Sequence, residues 1–244
     1  MHAYPSCRAG FTPADMDFMA KSLGSHNEDR WFSTLMEDPD SFDKMLEDPK
    51  LFRALLEKQG CVKVSLNFYF YVLILHALQE IEMKNLDLAD YLAGRLCRYS
   101  QFEKIRNPLD VNETEGGPHL PLDYLFEVWA EAERSGGERR FQLQLHLGDI
   151  ALFWSGLFPK LLFNRTARRA APGIEYYEKM GSSSYHLAGQ SNFAHQLGIA
   201  PLLLTLCQGF HATRLALNKL SEKWVFLDHE PAVSRLLNEL GSSS

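Results

Sequence analysis

The chain has 244 residues, of which 45% are hydrophobic, 12% aromatic and 23% charged. Such a composition can bury enough apolar area to offset the conformational entropy of folding, which excludes a disordered chain. A formal net charge of −6 removes the global electrostatic case for nucleic acid or anionic membranes.

Cys7, Cys61, Cys97 and Cys207 form no C-x-x-C pair and match no zinc framework. Scattered single cysteines of this kind point to buried small side chains in a reducing compartment. Met1 to Gly10 holds one arginine and no apolar stretch, so no secretory signal is expected and a cytoplasmic location follows. The sequons at Asn112 and Asn164 would then never meet the glycosylation machinery. Leu66 to Leu78, interrupted by Asn67 and His76, and Ile150 to Phe163, interrupted by Pro159 and Lys160, are the longest apolar runs weighed as membrane spans. Both fall short of the roughly 20 apolar residues a span requires, and are expected as buried core helices.

Along the chain, Thr12-Pro13-Ala14-Asp15 predicts an N-cap, a proline at the first helical position and an acid in the first turn. That helix is expected to run to Leu23 and to close at Gly24. Met36-Glu-Asp-Pro-Asp-Ser-Phe42 matches Leu46-Glu-Asp-Pro-Lys-Leu-Phe52. Each Asp-Pro stops one helix and starts another, giving helices near 28–37, 40–47 and 49–59. Val62 to Tyr71 alternates like a half-buried strand. No other segment offers a partner strand, so a helix capped by Ser65 and running to Met83 is expected instead.

An amphipathic helix follows over Leu86 to Phe102, with Leu88, Leu92, Leu96 and Tyr99 on one face. The loop 107–121, rich in Pro, Gly, Asn and Glu, is the best internal boundary in what is read as one domain over 1–244. A helix from Leu122 to Arg134 ends at Gly136-Gly137. The strongest helix runs from Glu138 to about Phe158, with Leu143, Leu147, Ile150, Trp154, Leu157 and Leu161 in the spacing of a bundle seam. Gly156 loosens it, and Pro159 kinks or ends it. Helices near 173–180, 183–198, 202–221 and 231–240 complete the chain, the last with Pro231 in its first turn. The expected architecture is all-α, a multi-helix bundle with a central kinked helix near 138–158 and about 60–70% helix, twice the usual share.

Polar residues in apolar surroundings are where chemistry could sit. His146 and Asp149, three apart, share a face of the central helix. An aspartate among leucines and aromatics is costly unless paired. Functionally the two are a metal-ligand pair or a base with its orienting carboxylate; structurally, Asp149 is a tie to an arginine or a tyrosine. His76 with Glu80 forms an i, i+4 pair that does not make a site by itself, and His76 is expected as a satisfied core histidine. No Glu-x-x-His occurs, which argues against a ferritin-like di-iron centre.

Tyr176, Tyr177, Tyr185, His186 and His195 form a polar-aromatic cluster over two short helices, with Gly181 as a C′ residue and Ser182 to Ser184 as the next cap. Arg139 and Arg140 stand near the start of the central helix. Arg165, Arg168 and Arg169 follow it, either complementing its dipole or offering a phosphate or RNA contact. No P-loop, dinucleotide glycine motif, nucleophile elbow, HExxH or zinc signature is present.

His146-Leu-Gly-Asp149, Leu152-Phe153-x-Ser155-Gly156-x-Phe158, Tyr176-Tyr177-x-x-Met180-Gly181 and Tyr185 resemble a family of helical bacterial proteins with no assigned activity. The resemblance spans residues 146 to 185. It implies a helical cytoplasmic protein and carries over no catalytic residue, cofactor or partner.

Two functional classes remain open. One is a cytoplasmic helical interaction or regulatory protein, with a protein partner or a second copy of itself. The other is a small-molecule- or metal-binding enzyme with a site between helices at His146, Asp149, Tyr176, Tyr177, Tyr185 and His186. No cofactor is specified by either.

Overall fold

The computed structural model describes residues 6–24, 39–57, 64–101, 121–160, 162–163 and 172–224. Every regular element among them is a helix, so the protein is an all-α multi-helix bundle. The expected helices near 28–37 and 231–240, Cys61, both sequons, Leu161, the loop 107–120, Arg165 to Arg169 and the last four residues lie outside the described residues.

The described elements gather into two compact units. The first holds a 3-10 turn, η1 (Cys7–Gly10), and helices α1 (Pro13–Leu23), α2 (Pro39–Leu46), α3 (Pro49–Glu57), α4 (Leu66–Gln79) and α5 (Leu86–Gln101). The second holds α6 (Pro121–Arg134), α7 (Gly137–Leu157), α8 (Ile174–Gly189), α9 (Asn192–Gln196), α10 (Ala200–Gln208) and α11 (Phe210–Trp224).

In the first unit α4 is the axis, buried without interruption from Phe68 to Leu78. That burial explains the strand-like alternation: a helix covered on every side is under no pressure to keep a 3.6-residue polar stripe. Ser65 caps it, its Oγ accepting from Phe68 N at 3.1 Å. Asp15, fully buried, ties two helix starts together. It accepts from Thr12 N at 2.7 Å at the head of α1, and from Ser65 N and Ser65 Oγ, each at 2.6 Å, at the head of α4. One carboxylate thereby satisfies donors at two helix N-termini, where negative charge is favoured. Gly24 ends α1 in the left-handed region at φ 78°. Contrary to expectation, α4 stops at Gln79 rather than Met83, because the chain turns at Glu82, whose φ is 60°.

In the second unit α7 is the axis, buried at Phe141 and at every position from Leu143 to Leu157. The leucine seam is therefore one side of a helix packed on all sides, with α6, α8, α9 and α11 around it. The helix ends at Phe158, whose φ of −125° and ψ of 44° leave the α region immediately before Pro159. Two further boundaries differ from the expectation. Residues 174–189 form one helix rather than two, and the expected helix over 202–221 is broken at Gly209 into α10 and α11.

Candidate functional site

Asp149 and Tyr185 meet in the core of the second unit. Both side chains are fully buried, and the Tyr185 hydroxyl donates to Asp149 Oδ1 at 2.9 Å. The approach is possible because α7 carries glycine at 148: a Cβ there would stand 2.7 Å from two Tyr185 ring carbons. Tyr185 thus lies flat against the α7 backbone with its hydroxyl at the neighbouring aspartate. Its ring also packs against Phe210, with centroids 6.0 Å apart.

The same logic corrects the expectation for Gly181 and the three serines. Gly181 is neither a C′ residue nor left-handed. It lies within α8, and a Cβ there would come within 2.3 Å of the Phe210 ring and 2.9 Å of Ala151 Cβ. Its smallness lets three helices touch. The serines cap nothing: Ser182 Oγ donates to Cys207 O of α10 at 3.0 Å, and Ser184 is buried inside the helix. Gly156 belongs to the same set, since a Cβ would meet Leu217 of α11 at 2.7 Å.

The remaining candidates divide by side of α8. Tyr177 is buried beside Trp154, with ring centroids 6.5 Å apart. Tyr176, His186 and His195 are exposed. Tyr176 crosses the ring of Tyr177 edge-on at 6.0 Å and lines an open pocket of about 550 Å³ with Phe163, Pro172, Gly173, Ile174, Glu175 and Lys179. His146 is buried on α7, and neither it nor Asp149 lacks a partner. Asp149 and Tyr185 are brought into direct hydrogen-bonding contact, whereas Tyr176 opens on solvent. His76, in the first unit, is held as a core histidine, its Nε2 3.1 Å from Leu46 O and its ring stacked on Phe52 at 4.7 Å.

A polar relay that the sequence did not single out runs over α7, α8 and α11. Glu178 accepts from Arg214 Nε, and His211 Nδ1 lies 2.8 Å from the same oxygen. Arg214 Nη1 donates to Asn218 Oδ1 at 3.1 Å, and Asn218 Nδ2 donates to Ser155 O at 3.2 Å. Partial burial pushes the Glu178 carboxyl up, but the hydrogen bonds and charges of Arg214 and His211 outweigh it and hold the group below its ordinary value. His211, Arg214 and Asn218 share a face of α11, while Glu178 comes from α8 and Ser155 from α7, so local spacing could not have revealed what the α11 residues meet.

Among the described residues no group of three or more His, Cys, Asp or Glu side chains is placed to hold a metal ion, and no helix is long and apolar enough to cross a membrane. Comparison with protein-family models, curated proteins and solved structures returns no match.

The outer face of α6 carries a feature of a different kind. Leu125, Val128 and Ala132 are buried and supply the side packed on α7. On the flank beside them Phe126 is 58% exposed and Trp129 41% exposed, with ring centroids 5.9 Å apart. Glu127 stands exposed beside them, and Glu133 is paired with Arg140 at 3.4 Å.

Proposed function

We propose that this chain is a cytoplasmic helical interaction protein, and that the outer face of α6 is where a protein partner or a second copy docks. The observation that carries the reading is the Phe126–Trp129 pair. Two neighbouring aromatic rings, one turn apart on a helix whose other face is already packed, leave roughly 200 Å² of aromatic surface in water, an unfavourable exposure of about 5 kcal/mol gross. Contiguous exposed aromatics rimmed by charge are the usual composition of a protein-binding patch. The closed setting of Asp149 supports the same reading, since a carboxylate sealed against a tyrosine is a poor place for substrate.

The second reading, a small-molecule-binding enzyme using His146, Asp149, Tyr176, Tyr177, Tyr185 and His186, is favoured by the pocket beside Tyr176 alone. Native mass spectrometry on untagged protein separates the two. The interaction reading expects a second copy or a stoichiometric protein on the wild-type chain, lost in the Phe126→Ser/Trp129→Ser variant. A lone chain in both samples would overturn it. A small molecule retained by the wild type and lost on Tyr176→Ala would favour the second reading.

A further inference from the structure

The first unit places two reduced cysteines side by side, ninety positions apart in the chain. Residues 6–8 lie along one face of α5. Ser6 Oγ and Arg8 N both donate to Asp90 Oδ1 at 3.0 Å. One turn further along α5, a Cβ on Gly94 would stand 3.6 Å from Cys7 Cβ, ordinary van der Waals contact, so the Cys7 side chain lies beside that turn of the helix. One turn beyond Gly94 is Cys97, and the two thiols are hydrogen-bonded neighbours. Both are buried, at 3% and 4% exposure, and neither is in a disulfide. Cys7 Sγ also donates to Asn67 O on α4 at 3.3 Å, and Arg8 reaches Asp43 at 2.6 Å and covers the rings of Phe42 and Tyr71. The N-terminal segment is thus clamped onto α2, α4 and α5, with the cysteine pair beneath the clamp.

We infer that Cys7 and Cys97 are a redox-responsive pair that closes to a disulfide on exposure to a small-molecule disulfide such as oxidised glutathione, locking η1 onto α5. In the first exchange one cysteine thiolate attacks a glutathione sulfur, forming a mixed disulfide and expelling one glutathione thiolate, which takes up the proton the cysteine lost. In the second, the other cysteine attacks the protein sulfur of that mixed disulfide and expels the second glutathione, again protonated. Two protein thiols are oxidised, one small disulfide is reduced to two thiols, and no other reactant is needed. The clamp sets the rate. Its contact with Cys97 and its burial keep the Cys7 thiol protonated far beyond the ordinary range, so attack has to wait for residues 6–8 to lift from α5. Closure then ties a loop of about 90 residues, the kind of long cross-link that most restricts an unfolded chain.

The test uses the full chain, equilibrated with oxidised glutathione, alkylated, digested without reductant and mapped by mass spectrometry. A peptide joining Cys7 to Cys97 is expected, with alkylatable thiols falling from four to two and returning to four in dithiothreitol. Asp90→Asn, which weakens the anchors of Ser6 and Arg8, is expected to speed cross-linking several-fold while forming the same bond. Cys97→Ser is expected to stop at a mixed disulfide on Cys7. Should Cys97→Ser fail to fold, the wild-type map and the Asp90→Asn rate decide alone. Four alkylatable thiols after oxidation, a link from Cys7 to a different cysteine, or an Asp90→Asn rate equal to wild type would each overturn the inference.

Discussion

Replacing Tyr185 by phenylalanine isolates the contact on which the assignment of Asp149 depends. The ring lies against Gly148 and Phe210, and phenylalanine preserves both contacts. Only the hydroxyl is lost, and with it the 2.9 Å bond to Asp149. Asp149 is fully buried, so water does not replace the missing donor. Leaving a buried acceptor without one of its donors costs about 1–3 kcal/mol. The expected cost of Tyr185→Phe is therefore about 2 kcal/mol, far above the ~0.5 kcal/mol scatter of neutral substitutions. Asp149→Ala should cost more, because a buried side chain and all its partners are disturbed. In a double-mutant cycle the two changes should couple by at least 1 kcal/mol, roughly the lower end expected for residues in direct contact. Urea unfolding followed by circular dichroism measures each term. A Tyr185→Phe variant as stable as wild type, with no coupling to Asp149→Ala, would refute the assignment of the pair as a structural tie.

Asp15→Ala should destabilise the first unit by about 3 kcal/mol, since three donors at two helix starts lose their only shared acceptor, and Asp15→Asn should cost less; urea titration reads both. Glu178 has a carboxyl held below its ordinary value, so its contribution to stability is fully present above the unfolded value near ~4.3 and is lost as pH falls through the lower folded value. Glu178→Gln should flatten that part of the acid-unfolding profile, and an unchanged profile would contradict the relay. Gly181→Ala should destabilise by about 1–3 kcal/mol through overpacking against Phe210 and Ala151, despite alanine's better helix propensity. A more stable Gly181→Ala protein in thermal unfolding would show that the helices can part at no cost.

The fold was legible where the signals were local. Thr12-Pro13 opens α1, Gly24 closes it and Ser65 caps α4 because caps and breakers act through backbone groups within a few residues. The misreadings within α8 share one cause. Gly181 and Ser182 to Ser184 look like punctuation in a sequence, yet they serve packing: the glycine admits Phe210 and a serine reaches Cys207. A residue's smallness has the same spelling whether a turn or a neighbouring helix demands it. At the candidate site, Asp149 stood out as a charge among leucines in need of an arginine or a tyrosine, and Tyr185 was marked, but nothing local said which tyrosine Asp149 would meet. Glu178, His211, Arg214 and Asn218 stayed hidden, since polar residues at helical spacing look like a solvated face until another helix arrives.

The central claim is that α6 presents Phe126 and Trp129 to a protein surface, and site-specific photo-cross-linking in living cells tests it most directly. A benzoyl-phenylalanine in place of Phe126 should yield one dominant cross-linked species, a second copy or a single defined protein, with Trp129→Ser abolishing it. The same probe in place of the exposed Lys21 of α1 should yield none. Equal, diffuse labelling at both positions, insensitive to Trp129→Ser, would contradict the account.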